Sequence, residues 1–276
     1  MVKRFLRLFF LGRIREELAK KLFMDSPRIG LRTLLEMKAL SRPAHVYCML
    51  CAAELAARLN IPKISVLEFG VAGGRTLRIA EKFAERISRE TGVAIELYGF
   101  DTSVGLPEVV DHRDLPHWFK PGQYVMDFDK LQAQLKFAKL VIGNIDQTID
   151  SFAEKYRPAP IGAIFCDVDL YSSTKSVLRL FDLGYEFLMP RAFWYLDDVL
   201  GTELEMYNEF NGELLAIDEF NKENENKKIA LNRNLLHKDL DFKYQIFYSH
   251  IFDHPRYNDY VGGREQQDIM KLLKTN

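Results

Sequence analysis

The chain has 276 residues, with 38 Lys and Arg against 39 Asp and Glu and a formal net charge of −1. That length allows one large α/β domain with an N-terminal appendage, and the balanced charge gives no support to a broad basic face for nucleic acid. Its three cysteines, Cys48, Cys51 and Cys166, sit in apolar runs and make no disulfide framework, which fits a reducing, cytoplasmic setting.

Taken in chain order, Met1 to Phe23 mixes Lys3, Arg4, Arg7, Arg13 and Arg15 with Phe5, Leu6, Leu8 and Phe9. Its apolar stretch is too short and too interrupted to span a bilayer. Two readings stand: a helix packing on the domain or on a second copy in a homodimer, or a basic amphipathic helix making peripheral contact with an anionic membrane. Residues 27–60 should form one or two helices that cap a sheet, with Pro62 stopping the last. Cys48-x-x-Cys51 lies in the alanine-rich run Val46 to Leu59 and has no second pair or histidine cluster, so it reads as core filling.

Apolar runs bounded by turn residues then alternate with helical patterns, which argues for a parallel sheet. Strands are expected at Ile64–Glu68, Ile95–Asp101, Leu140–Ile145, Ile161–Asp167 and Phe193–Asp197, with an antiparallel hairpin from Lys228–Leu231 and Lys243–Phe252. Helices are expected at Arg75–Arg89, Asp129–Ala138, Thr148–Lys155, Thr174–Phe187, Glu203–Phe210 and Glu213–Asn221, and the tail 264–276 as a short surface helix. The fold class is therefore α/β: a doubly wound, Rossmann-like, seven-stranded and mostly parallel sheet whose final strand is antiparallel. The divisions are 1–60 as helical extension, 61–263 as the α/β domain and 264–276 as tail. The connection between Asp101 and Leu140 is long and rich in aromatic residues, so it reads either as a lid or substrate wall or as a packed surface insertion.

Glu68-Phe69-Gly70-Val71-Ala72-Gly73-Gly74-Arg75-Thr76 is a strand end, a tight loop and a helix start. A dinucleotide fingerprint needs G-x-G-x-x-G so that a pyrophosphate can approach the second glycine. Val71 and Ala72 occupy that space here, and the pattern is acid-x-Gly-x-x-x-Gly. It resembles motif I of class I S-adenosylmethionine (SAM) methyltransferases. In that reading Glu68 accepts from loop amides or from the cofactor ammonium, Gly70 and Gly74 remove side chains where cofactor sits, and Thr76 caps the helix. Asp101 ends the second strand and suits bidentate binding of the ribose hydroxyls. Asn144 and Asp146 flank Ile145 at the third strand end and suit an adenine edge and face. Solvated turns and helix caps are the competing roles for these acids.

Asp167-Val168-Asp169-Leu170-Tyr171-Ser172-Ser173-Thr174 and Asp197-Asp198 end the fourth and fifth strands. Adjacent strands would gather these carboxylates at one edge, where they repel unless a cation or protons intervene. An oxygen-only set suits Mg²⁺, which can lower the pKa of a substrate hydroxyl. The alternative is that the acids accept helix and loop amides.

Four blocks in order, Glu68 to Gly74, Gly99-Phe100-Asp101-Thr102-x-x-Gly105-Leu106-Pro107, Asp167 to Thr174, and Asp197-Asp198, resemble the macrocin O-methyltransferase family. That family comprises metal-dependent O-methyltransferases acting on sugar hydroxyls of macrolide and aminocoumarin antibiotics. The resemblance spans about residues 64–220. It implies cofactor contacts at Glu68, Gly70, Gly74 and Asp101, metal ligands at Asp169 or Asp167 with Asp197 and Asp198, and a metal-proximal aspartate, Asp167 or Asp169, as the catalytic general base; Ala72, Thr76, Asn144 and Asp146 complete the expected cofactor site from their places in the loop and at the third strand end. The family's Pro-Gly-Gly before the fifth strand is replaced by Pro190-Arg191-Ala192, which would place Arg191 near the acidic edge. His112, His117, His250 and His254 are general-base candidates if no metal is used. The expected activity is SAM-dependent O-methyl transfer to a small-molecule acceptor, a sugar or secondary metabolite. A non-catalytic nucleoside- or sugar-binding or scaffold member of the fold, and an NAD(P)-linked oxidoreductase, are the alternatives.

Overall fold

The computed structural model describes residues 17, 18, 20 and 22–263; the expected N-terminal basic helix, apart from its last few residues, and the tail helix lie outside that range. Seven strands form one sheet: β1 Lys63–Phe69, β2 Ala94–Asp101, β3 Lys139–Ile142, β4 Ile161–Cys166, β5 Leu188–Leu196, β6 Lys227–Leu231 and β7 Ile246–Ile251. Their order is β3-β2-β1-β4-β5-β7-β6. The first five strands are mutually parallel, and β7 runs antiparallel to both β5 and β6. This is the expected doubly wound sheet with an antiparallel final strand. The central strands are apolar on both faces because both are covered: Ile64 to Phe69 and all of β4 are buried.

On one face lie α1 (Leu31–Glu36), α2 (Pro43–Arg58) and α3 (Arg75–Thr91). Pro43 sits at the first helical position of α2, where its missing N–H costs nothing, and Gly92 ends α3 at φ 76. Leu31, Val46, Met49 and Ala52 of this segment share one core with Ile64, Phe83 and Phe165. Cys48 and Cys51 are buried and free in α2, as core residues. The opposite face carries α5 (Ile145–Tyr156), α6 (Tyr171–Leu178) and α7 (Gly212–Glu223) over a second core that includes Phe69, Phe100, Phe152, Phe181 and Trp194. A short helix, α4 (Phe128–Gln134), lies in the connection from β2 to β3.

Several expected elements differ: the helix expected over Thr174–Phe187 ends at Leu178 and gives way to 3-10 turns at Arg179–Asp182 and Tyr185–Phe187, and the fifth strand begins at Leu188 rather than Phe193. The third strand stops at Ile142, because Gly143 turns at φ 135 and Ile145 already opens α5. No helix forms over 203–210: the Asn208 side-chain amide donates to the Met206 carbonyl at 2.8 Å, the Asn208 Oδ1 accepts from the Phe210 amide at 2.8 Å, and Met206 sits at φ 58. Local side-chain bonds to the backbone outcompete the helix there. Among the described residues no helix is long and apolar enough to cross a membrane.

Candidate active site

Sheet register brings the strand ends level. Phe69 pairs with Phe100 and with Cys166, and Cys166 pairs with Leu196. One residue further on, Gly70, Asp101, Asp167 and Asp197 therefore stand in a row along the carboxyl edge. The amides of Gly70, Asp167 and Asp197 still donate across it, to the carbonyls of Phe100, Phe69 and Cys166 at 2.9, 3.0 and 3.0 Å. Between β1 and β4 the chain reverses its direction of winding, the place where doubly wound sheets bind ligands. A cavity of about 680 Å³ opens there, joining the glycine loop and Asp101 to Asp167, Asp169, Asp197 and Asp198.

The glycines serve the protein as much as any ligand. Gly70 lies at φ +84, and a Cβ there would stand 1.7 Å from the carbonyl oxygen of Asp167. Gly74 lies at φ +68, and its Cβ would meet Leu131 of α4 at 2.1 Å. Gly70 lines the cavity but Gly74 does not; Gly73 does, with nothing within 4 Å of a Cβ. The expectation that Gly74 clears space for cofactor is thus corrected: it clears space for Leu131. Thr76 lines the cavity, but it does not cap α3, whose N-cap is Gly74 with no side-chain bond. Ala72 also lines the cavity and holds φ 43.

Asp101 is committed to the loop. Its Oδ2 accepts from the amides of Val71 and Ala72 at 2.9 and 2.8 Å, and its Oδ1 from the Ser103 amide at 2.7 Å. A carboxylate offers about four lone-pair sites, so one remains rather than the pair that bidentate ribose binding assumed. Asn144, Ile145 and Asp146 line the same cavity from the end of β3.

The acidic edge is a cluster. Asp167, Asp197 and Asp198 each offer one carboxylate oxygen, and these oxygens lie within 4.8 Å of one another. Of the two aspartates expected as alternatives, Asp167 belongs to that trio, while Asp169 lines the cavity outside it. The reason is backbone direction: Asp169 turns at φ 61, with its amide donating to Asp198 Oδ2 at 2.8 Å. Tyr207 donates to Asp198 Oδ1 at 3.0 Å, Tyr195 donates to Asp197, and the Asp198 amide donates to Glu213 beneath it at 3.2 Å. Burial first, then the neighbouring Asp197 and Asp198, push the Asp167 carboxyl well above its ordinary range. Burial with Asp198 and Asp197 takes Asp169 up to about 8. Burial with Asp197 takes Asp198 up to about 7, although the Asp169 amide and Tyr207 oppose the shift. Such a set stores repulsion that a divalent cation would relieve.

The long connection is a wall. Asp114 is fully buried and accepts from the Val110 amide at 2.9 Å and from the Ser172 amide and hydroxyl at 2.8 and 3.0 Å, so it anchors the insertion to the start of α6. Leu115, Phe119 and Leu170 form a small core there, and Gly105, Leu106, Val110 and Tyr124 line the cavity. Arg191, expected near the acids, sits in the first half of β5, away from that edge, with its guanidinium 5.2 Å from the Tyr257 ring. Six residues of strand put it about 20 Å from Asp197. None of the four candidate histidines lines the cavity: His254 contacts the Leu188 carbonyl at 3.1 Å and His250 the Tyr257 hydroxyl at 2.9 Å. Sequence reasoning passed over Arg42, Tyr124, Glu205 and Tyr207, which all line it.

No family model and no curated protein matches the chain. Among solved structures it is similar to CalS11, a calicheamicin methyltransferase, at 21% identity over 74% of this chain and 81% of that one, with a TM-score of 0.49. It is similar to the O-methyltransferase TomG from Streptomyces achromogenes at 12% identity over 77% and 81%, TM-score 0.43. The O-methyltransferase from Bacillus cereus is similar at 12% identity over 85% and 96%, TM-score 0.42. At these identities and scores, substrate and site residues rest on the chain's own geometry.

Proposed function

We propose that the protein is a SAM-dependent O-methyltransferase acting on a hydroxyl of a small-molecule acceptor, assisted by a divalent cation such as Mg²⁺. The observation that carries this reading is one cavity that joins a non-dinucleotide glycine loop to the carboxylates of Asp167, Asp197 and Asp198. Glu68, Gly70, Ala72, Asp101, Asn144 and Asp146 line it and would hold the cofactor. Bound SAM would supply an electrophilic methyl group, and Mg²⁺ held by Asp167, Asp197 and Asp198 would make an acceptor hydroxyl more acidic.

The chain's own contribution is positioning and proton removal. Asp169, which lines the cavity two residues beyond Asp167, would take the hydroxyl proton as general base. Val110 and Tyr124 stand exposed on the cavity wall, which suits an acceptor carrying its hydroxyl on an apolar body.

The test is release of S-adenosylhomocysteine from SAM across a panel of phenols, glycosides and aliphatic alcohols, with Mg²⁺ or with chelator. Acceptor-dependent release that chelator suppresses is expected. Tight SAM binding with no release for any acceptor would instead favour a non-catalytic binding protein.

A further inference from the structure

Arg42 precedes α2 and is its N-cap, held in the left-handed region at φ 50, ψ 53 with no side-chain capping bond. Its side chain lines the cavity beside Glu68. Among the described residues its guanidinium makes no hydrogen bond or salt bridge, although it lies close enough to act electrostatically on Glu68, His45 and Tyr195. Glu68 is only 3% exposed, and its Oε2 has no hydrogen-bond partner. A buried carboxylate and a cation that share a cavity without touching are costly unless something lies between them. A metal ion alone would answer Glu68 and repel Arg42. An anion alone would do the reverse. A ligand carrying an ammonium and a carboxylate on neighbouring atoms answers both.

We propose that Arg42 and Glu68 form a subsite for the α-amino-acid end of the cofactor, with Arg42 receiving its carboxylate and Glu68 its ammonium. This rests on the cofactor reading above and adds to it a residue from outside the glycine loop. Burial raises the Glu68 carboxyl and Arg42 pulls it back, as a shared cavity requires. His45, one turn further along α2, is packed 4.1 Å from the Tyr195 ring and 4.7 Å from the Phe165 ring, and burial with Arg42 lowers it to about 3. It stays neutral and does not compete for the carboxylate. Because Arg42 opens α2, discrimination between a full amino-acid cofactor and a bare nucleoside depends on how α2 is docked against β1, β4 and β5.

The test compares two ligands on three proteins by calorimetry: S-adenosylhomocysteine, and 5′-methylthioadenosine, which keeps the nucleoside thioether and lacks the amino acid. Arg42→Gly removes the guanidinium and suits the left-handed backbone, so the fold is not penalised; Arg75→Ala removes a second, exposed cation on the cavity wall. Arg42→Gly should weaken S-adenosylhomocysteine about 10- to 100-fold, the loss of a charged hydrogen-bond pair, and change methylthioadenosine less than about threefold. Arg42→Lys should fall between, and Arg75→Ala should resemble wild type. Equal losses for both ligands, no loss for either, or a selective loss in Arg75→Ala instead would overturn the assignment. Wild-type protein that binds neither ligand would overturn the cofactor reading itself.

Discussion

At Gly70 there is no room for a methyl group, since a Cβ would lie 1.7 Å from the Asp167 carbonyl oxygen and the backbone is at φ +84. Gly70→Ala should therefore cost at least about 2–4 kcal/mol of stability, read from urea denaturation, before any effect on binding is considered. Asp101 couples loop and ligand: it holds the amides of Val71, Ala72 and Ser103. Asp101→Ala should weaken S-adenosylhomocysteine by about tenfold or more and also lower the melting temperature, because three amides lose an acceptor. Weaker binding with unchanged stability would show that the loop does not need the carboxylate. For Asp169 the informative change is Asp169→Asn, which tolerates φ 61 while losing the basic oxygen. It should lower kcat by about 100-fold or more with little change in cofactor affinity. An unchanged kcat would remove Asp169 as the base.

The sheet elements were readable because buried parallel strands are nearly continuous apolar runs, and β1, β2 and β4 appear where such runs end in Glu68, Asp101 and Asp167. The acids at those ends were readable for the same reason, since a strand end fixes where the next residue stands. What stayed hidden depends on partners far along the chain. Asp114 meets Ser172, and Glu81 accepts the amides of Lys136, Phe137 and Ala138 at 2.9, 2.7 and 2.7 Å, tying α3 to the approach to β3. No periodicity marks such residues as anything but surface acids. Arg42 escaped notice likewise, because its place in the cavity follows from how α2 docks. The 203–210 segment misled because its composition suits a helix while Asn208 bonds locally. Asp114→Ala should cost about 1–3 kcal/mol and make the 102–127 wall the first site of limited proteolysis. Unaltered protease resistance would mean that the wall is held by its small apolar core alone.

Across the whole molecule, the acidic edge links stability to pH and to metal. Asp169 and Asp198 titrate at about 8 and about 7, both above the carboxylate value of 3.8, so the folded chain keeps protons that the unfolded chain releases. With more protons bound in the folded state, stability falls as pH rises from about 4 to about 8. The chelator-treated protein should melt at a lower temperature at about pH 8.5 than at about pH 6, and added Mg²⁺ should recover more of that loss at the higher pH. A melting temperature that rises with pH in chelator would contradict the clustering of these groups. Beneath all of this lies the claim that the edge cavity is built for SAM. The most direct measurement is a calorimetric titration of the wild-type chain with S-adenosylhomocysteine, with NAD as comparison. One site per chain in the micromolar range is predicted, with no heat from NAD; binding of NAD, or of neither, would contradict the account.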